Sequence, residues 1–424
     1  MKENFLHYLW QYQLFTKKQL LTTLGDPIEI QKVGQSNSNS GPDFTEAILY
    51  IGTQLWAGSV EIHLKSSDWY VHHHENDKAY DNVILHVVWE DDMPVYRSNN
   101  TAISTLELKG LVPKHIWLNY QHLFQKDNRW IACEKMIDQV DSFTWNNWLE
   151  RLYIERLSKK TIDVDQLLVQ SVNDWEAVLF QLVFRNFGLK VNGESFRDIA
   201  ASLDFSMVRK ERVDVLRLEA LFMGQAGLLN DQVDDPFYQE LQKIYSYQQH
   251  KYQLTPVLNK ARFFRLRPSN FPTIRLAQLA YLFSKQKNLF QQLIELSDVK
   301  AIYKLLQFET SAYWETHYVF GKESRKSKKK STVSFLDLLL INTSIPIRFA
   351  YQKYTGKPDV EVLFKLIRQI KPENNTIVNK YVDLGIKVHS AMDSQALLRL
   401  KNTYCEKQSC LNCAVGLEIL NRTI

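Results

Sequence analysis

Ser59-Val60-Glu61-Ile62-His63-Leu64-Lys65 is the stretch from which the architecture of the first part of the chain is read. Side chains on a strand alternate between its two faces. Ser59, Glu61, His63 and Lys65 therefore share one face, and Val60, Ile62 and Leu64 share the other. One face packs; the other carries four polar groups in a row. The strand-like run begins at Gln54, and a second run, Phe44 to Ile51, precedes it across Gly52-Thr53, which predicts a hairpin. Gly41-Pro42-Asp43 leads into the earlier run, so pairing of the two strands brings Asp43 toward the polar face.

Two carboxylates a few ångström apart make an oxygen site for Mg²⁺ or Mn²⁺, and such an ion bridges a phosphodiester oxygen and acidifies an attacking water. Asp43 and Glu61 are the candidate ligands, with Lys65 or His63 as the group that orients the water or stabilises developing charge.

Outward from this hairpin, Phe5, Leu6, Leu9, Trp10, Leu14 and Phe15 recur at helical spacing, predicting a helix over residues 5–24 that Gly25-Asp26-Pro27 stops. Ile28 to Val33 alternates like a strand, and the polar loop Gly34 to Pro42 follows. Ser66 to Tyr80 reads as one or two short helical turns. Val83 to Trp89 is apolar on both faces, the mark of a central strand, and strand-like pieces continue to about Leu108. Beyond Trp117 the periodicity is helical, with segments at 143–170, 172–188, 207–224, 235–250, 273–297, 298–309, 333–342, 358–370 and 392–402. The expected organisation is α+β: an α/β domain over residues 1–130, then a mostly helical domain over 131–424.

Five of the eleven histidines fall between positions 63 and 86: His63, His72, His73, His74 and His86. Neutral imidazole is the commonest transition-metal ligand. His72 and His74, with Asp77, can extend the carboxylate site toward a Zn or Mn hydrolase, or contact substrate phosphate beside Mg²⁺; a solvated histidine-rich turn with His86 in the core is the plainer alternative. The four cysteines are Cys133, Cys405, Cys410 and Cys413, the last three spaced Cys-x4-Cys-x2-Cys. Clustered thiols in a cytosolic chain point to metal, either tetrahedral Zn²⁺ or a [4Fe–4S] cluster. Such a closed site is structural and would staple residue 133 to the C-terminal tail.

Arg262 to Arg275 packs four arginines into fourteen residues among aromatics, with Thr273 placed to cap the next helix. Arg265, Arg267, Asn270 and Arg275 are candidate contacts to nucleic-acid phosphate, DNA or RNA; an interdomain turn pairing with the acidic first part is the other reading. The lysine-rich run 322–330 reads as a solvated loop. Residues 1–110 hold 8 Lys/Arg against 14 Asp/Glu, and the other 314 hold 44 against 33. An acidic first part and a basic second part suit different tasks. Hydrophobic residues at 45% and charged residues at 23% are those of an ordinary globular chain. The N-terminus, with Lys2, Glu3 and His7 among its apolar residues, does not read as a secretory signal. The most apolar stretch, Phe335 to Ala350, is interrupted by Asp337, Asn342 and Arg348, so no membrane span and a cytoplasmic location are expected. No Walker A, Gly-x-Gly-x-x-Gly or Gly-x-Ser-x-Gly pattern occurs, which argues against NTP hydrolysis and dinucleotide redox chemistry.

Pro42-Asp43 before one strand and Glu61-Ile62-His63 on the next resemble the motif of the PD-(D/E)XK nuclease superfamily, and the order helix, three strands, short helix, strand resembles its core. The resemblance implies a restriction-endonuclease-like α/β core and divalent-metal-dependent cleavage of nucleic acid. The departure is His63 where that motif carries lysine; Lys65 lies one pleat further on. This leaves open a non-catalytic nucleic-acid-binding protein on a degenerate nuclease fold, and a His-ligated Zn/Mn hydrolase. Some nucleases of the superfamily carry an iron–sulfur cluster on one early and three late cysteines, similar to this chain in layout though not in the late spacing. The whole chain also resembles an uncharacterised bacterial family known only as a domain of unknown function, through Asn39 to Phe44 with Gly58 to His63, Arg267 to Pro272, and the terminal cysteines.

Overall fold

A computed structural model describes residues 1–424 except Ser38, Lys126, Asp127, Pro358 and Ile424; Ser38 of the polar loop thus lies outside the described residues. The chain divides into two compact units, Met1–Trp148 with Leu400–Ile424, and Leu149–Arg399. Its composition of elements is mixed α+β, with the large sheet in the first unit and a mostly helical second unit.

The first unit opens with α1 (Glu3–Gln11), shorter than its periodicity predicts. Gln13 takes a left-handed φ of 51° and turns the chain. Phe15 is buried by folding back to stack on Trp10, so Leu14 and Phe15 sit at helical spacing without being helical. Strands β1 (Ile28–Lys32), β2 (Gln35–Ser36), β3 (Phe44–Ile51) and β4 (Gln54–Lys65) follow. The β3–β4 hairpin turns at Gly52, whose φ of 62° suits glycine, with Ile51 opposite Gln54. A short helix α2 (Asp68–Val71) and two 3-10 turns, His74–Asn76 and Lys78–Tyr80, carry the chain to β5 (Val83–Glu90), and β6 (Thr105–Glu107) comes next.

The sheet order is β1-β3-β4-β5-β6, with β2 beside β3. β1, β3 and β4 are antiparallel neighbours; β4–β5 and β5–β6 are parallel. β5 lies between β4 and β6, and Val83 to Val88 are all buried, as an uninterrupted apolar strand requires. Close approach of β4 to the start of β5 depends on Gly58: a Cβ there would lie 2.4 Å from the Asn82 carbonyl oxygen. The β3–β4 register shifts between Phe44 and Ala47, where Glu46 has a φ of 58°. Such a bulge bends a strand and re-aims its side chains, and it lies directly after Asp43.

Helix α3 (Lys114–Phe124) packs on the C-terminal helix Ala414–Asn421. Asn119 makes this join specific: its side-chain amide donates to the carbonyls of Ile419, Leu420 and Arg422, acceptors that a helix end leaves without partners.

In the second unit, aspartates at N-caps set where helices begin. Asp174, Asp204, Asp214, Asp235 and Asp298 each accept from amides of the following first turn. The cap at Asp214 divides the helix expected at 207–224 into Phe205–Glu211 and Val215–Gln225. Likewise 273–297 is two helices, Pro272–Lys285 and Leu289–Glu295. Phe271, not Thr273, is the N-cap; Thr273 instead donates to the Tyr318 carbonyl. Phe180, Phe184, Phe222 and Phe283 form an aromatic core with ring centroids 4.5 to 6.3 Å apart. The apolar stretch Val333–Tyr354 is one helical run through a π-turn at Leu340–Ser344; it is long and apolar enough to cross a membrane by length and composition, and 67% of its apolar window is buried inside the protein. The lysine-rich run is not wholly solvated: Lys322–Glu323 pairs with His317–Val319, and buried Lys329 donates to the Glu315 carbonyl beneath the Tyr318 ring.

Candidate metal centre

The polar face of β4 is buried rather than wet. Ser59, Glu61 and His63 are 2%, 4% and 1% exposed. Buried polar groups require partners, and neighbouring elements supply them. Asp43, just before β3, and Glu61 lock each other across the strands. The Asp43 amide donates to Glu61 Oε2 at 3.0 Å, and the Ile62 amide donates to Asp43 Oδ2 at 3.1 Å. This leaves Glu61 Oε1 turned toward the histidines, 3.5 Å from His63 Nε2 and 3.3 Å from His74 Nε2.

His63 is held at both ring nitrogens. Nδ1 lies 2.8 Å from His86 Nε2 on the adjoining strand β5, and Nε2 lies 3.0 Å from His72 Nδ1. The β4–β5 register places Glu61 opposite His86. After α2 the chain turns at His73, whose φ is 61°. His73 is thereby exposed, and His72 and His74 reach inward on either side of it. Tyr80 stacks on His74 at 3.7 Å and Trp69 meets it edge-on, which fixes that ring in place. The ligand atoms of His63, His72 and His74 lie within 4.8 Å of one another. The cluster runs from buried His86 and His63 out to exposed His72.

Two further groups come from α1, four residues apart on that helix. His7 Nε2 lies 3.3 Å from Asp43 Oδ2, and Glu3 is within electrostatic reach of Asp43, His7 and Glu61.

The local electrostatics divide these groups by role. Burial, then His74 and His72 beside it, drives the His63 imidazole from 6.5 down to about 3. Burial, then His63 and His74, holds His86 well below its ordinary range. Both are neutral at neutral pH, the form in which imidazole binds metal. Burial also pulls His7 down, but the Asp43 contact and charge, with Glu3 and Glu61 behind it, carry it above its ordinary value. Burial and the Asp43 charge raise Glu3 to about 7. Glu61 is raised by burial and by Asp43, partly offset by His74.

These groups fit a transition-metal ion. A tetrahedral ion with bonds of about 2.0–2.1 Å to nitrogen and oxygen separates its ligand atoms by about 3.3–3.4 Å. Octahedral Mg²⁺ at similar bond lengths brings neighbouring ligands to about 2.9 Å and favours oxygen. The 3.0 Å separation of His63 and His72 and the 3.3 and 3.5 Å separations of Glu61 from His74 and His63 lie close to that tetrahedral edge, and the three imidazoles gather within 4.8 Å of one another. His74 Nε2 is buried without a hydrogen-bond partner, and His86 orients His63 from behind, as outer partners of metal-binding imidazoles do.

Residues 3–376 match the family model of DUF2851, described as a protein of unknown function. The chain belongs to that family. The DUF2851 match covers every residue of the cluster, from Glu3 to His86. No curated protein and no solved structure matches the chain.

Of the other residues singled out in the sequence, Lys65 stands apart. It is 55% exposed at the end of β4, 3.8 Å from Asp92. Asp77 is spent on an N-cap, accepting from the Ala79 amide. Arg265 and Arg267 are exposed in the second unit. Arg275 is buried there, bonded to Asn270 and Gln278 and stacked over Phe335. Cys133, Cys405, Cys410 and Cys413 lie in the first unit and form no disulfide; burial above all, and then their mutual charges, push Cys410 up to about 12 and Cys413 up to about 11. Glu3 and His7 were not singled out for this site. Their only signal was an acid and an imidazole at i, i+4 on one helix.

Proposed function

We propose that the first unit of this DUF2851 protein is a metal-dependent phosphodiester hydrolase acting on nucleic acid. Glu61, His63, His72 and His74 would hold Zn²⁺ or Mn²⁺, with Asp43 bonded to the Glu61 segment. The observation that carries this reading is the convergence of three imidazoles and one carboxylate at the buried end of β4. The element order α1, β1, β3, β4, α2, β5, with Asp43 before β3 and Glu61 on β4, supports a nuclease-like core and hence the substrate class.

A bound ion supplies Lewis acidity to a phosphoryl oxygen and acidifies its water. The rest falls to side chains of this chain. His63 is neutral, so it acts as a ligand and not as the cation that the motif's lysine would supply. His7, 3.3 Å from Asp43 and raised by it, is placed to stabilise charge on a phosphoryl oxygen. Glu3, near 7, is poised to exchange a proton with the attacking water or the leaving oxygen. Exposed His72 marks the side from which substrate enters.

The test is cleavage of labelled single- and double-stranded DNA and RNA by protein loaded with Zn²⁺, Mn²⁺ or Mg²⁺. Cleavage with Zn²⁺ or Mn²⁺ is expected, lost in Asp43→Asn and in His72→Ala. No cleavage of any substrate by protein verified to hold metal overturns the hydrolase reading. Activity with Mg²⁺ that survives His72→Ala and His74→Ala overturns the histidine ligand set.

A further inference from the structure

The first unit holds a second cluster of metal-ligating side chains, apart from the histidines. Cys133 lies in the turn-rich segment after α3, and Cys405, Cys410 and Cys413 lie about 270 residues later in the chain. The fold brings these segments into one unit. The two segments meet: Lys401 lies 5.5 Å over the Trp130 ring, Ile131, Ala132 and Cys405 line one cavity, and Cys133, Cys410 and Cys413 each lie within electrostatic reach of Cys405. None is in a disulfide; Cys133, Cys410 and Cys413 are buried and Cys405 is partly exposed.

Local backbone geometry is arranged around the sulfurs. Cys405 closes a π-turn, Lys401–Cys405, and Cys410 opens a 3-10 turn, Cys410–Asn412. Cys413 then N-caps the helix Ala414–Asn421. Gly416 lets the helix close on the turn, because a Cβ there would lie 2.2 Å from the Cys410 carbonyl oxygen. A single buried cysteine is ordinary small apolar packing; four thiols in one unit, two of them on one turn that a glycine lets the following helix close upon, are the layout of a thiolate metal site. Cys405 borders a cavity of about 930 Å³ that Lys2, Trp117, Trp130 and Lys401 also line, which provides an entry path.

We propose that Cys133, Cys405, Cys410 and Cys413 form a thiophilic metal site that ties the C-terminal segment to the segment after α3. Four cysteine ligands fit Zn²⁺ or an iron–sulfur cluster equally. The site is closed, so its role is structural, and it stands independently of the proposed hydrolase.

The experiment uses full-length His72→Ala/His74→Ala protein, so that metal at the histidines does not contribute. It is purified under reducing conditions, with and without oxygen excluded. Expected is either one tightly held zinc per chain, or iron and sulfide in equal amounts with absorbance near 400 nm. X-ray absorption at the Zn or Fe edge should show metal–sulfur distances of about 2.3 Å. Cys413→Ser should cut metal content at least tenfold. Should that variant fail to fold, the intact protein still decides: its thiols should react slowly with a disulfide reagent until a strong chelator removes the metal. Thiols that react at one rate before and after chelator treatment, in protein holding neither zinc nor iron, overturn the site. So does bound metal with only nitrogen and oxygen neighbours.

Discussion

Acid should destabilise the metal-free first unit through His63, by an amount the structure sets. Burial beside His74 and His72 lowers its pKa from 6.5 to about 3. Between those values the unfolded chain binds a proton that the folded chain refuses. The stability linked to this group is therefore fully present above pH 6.5, declines through the window, and is gone below pH 3. A displacement of about 3.5 units at about 1.36 kcal/mol each corresponds to about 5 kcal/mol over the whole window, and about 3 kcal/mol between pH 7 and pH 4. Glu3, raised from 4.5 to about 7, acts in the opposite sense. Its folded carboxyl stays protonated where the unfolded one ionises, so its contribution is complete below pH 4.5 and is lost as pH rises through 7. The two largely cancel from 6.5 to 4.5, and the net acid loss concentrates below 4.5. Replacing the imidazole isolates its share. Denaturant unfolding of chelator-treated wild type and His63→Gln at pH 7 and pH 4 should show wild type losing about 3 kcal/mol more than the variant. The pH-independent cost of the substitution drops out of that difference. Parallel losses in the two proteins would refute the claim that the fold holds this imidazole neutral.

Three other outcomes are expected. His86→Asn leaves the proposed ligands in place but removes the group 2.8 Å behind His63, so Zn²⁺ affinity should fall about 10–100-fold in competition with a chromophoric chelator; unchanged affinity removes His86 from the assembly. Gly58→Ala drives a methyl to 2.4 Å from the Asn82 carbonyl oxygen and 2.6 Å from Ile84 Cγ2, and should cost about 1–3 kcal/mol in thermal or chemical denaturation. Asn119→Ala strips the donor from the carbonyls of Ile419, Leu420 and Arg422, and should cost about 1–3 kcal/mol while speeding proteolysis of the C-terminal helix.

Strand periodicity is local, so the sheet was legible in order. Phe44–Ile51, Gln54–Lys65 and the buried central strand from Val83 follow from alternation, apolar runs and the Gly52-Thr53 turn. Family membership was legible as well, because it rests on residue patterns alone. Helix ends were less so. Leu14 and Phe15 satisfy helical spacing in the sequence, yet Gln13 turns the chain and Phe15 buries itself by stacking on Trp10. Spacing records which side chains seek the core, not the route by which they reach it.

The candidate centre divides along the same line. Its residue types stood in the sequence: Asp43 and Glu61 at strand positions, and a run of histidines after β4. Which of them converge is a matter of packing between distant segments. Parallel pairing of β4 with β5 sets His86 behind His63, and the left-handed turn at His73 sends its two neighbours inward. Helix α1 brings His7 to Asp43 from some thirty-five residues away. Lys65, nearer in sequence and on the expected face, ends at the solvent-exposed edge beside Asp92. Burial then assigns chemical character that no spacing contains, because desolvation keeps His63 neutral while the Asp43 contact and charge raise His7 above its ordinary range.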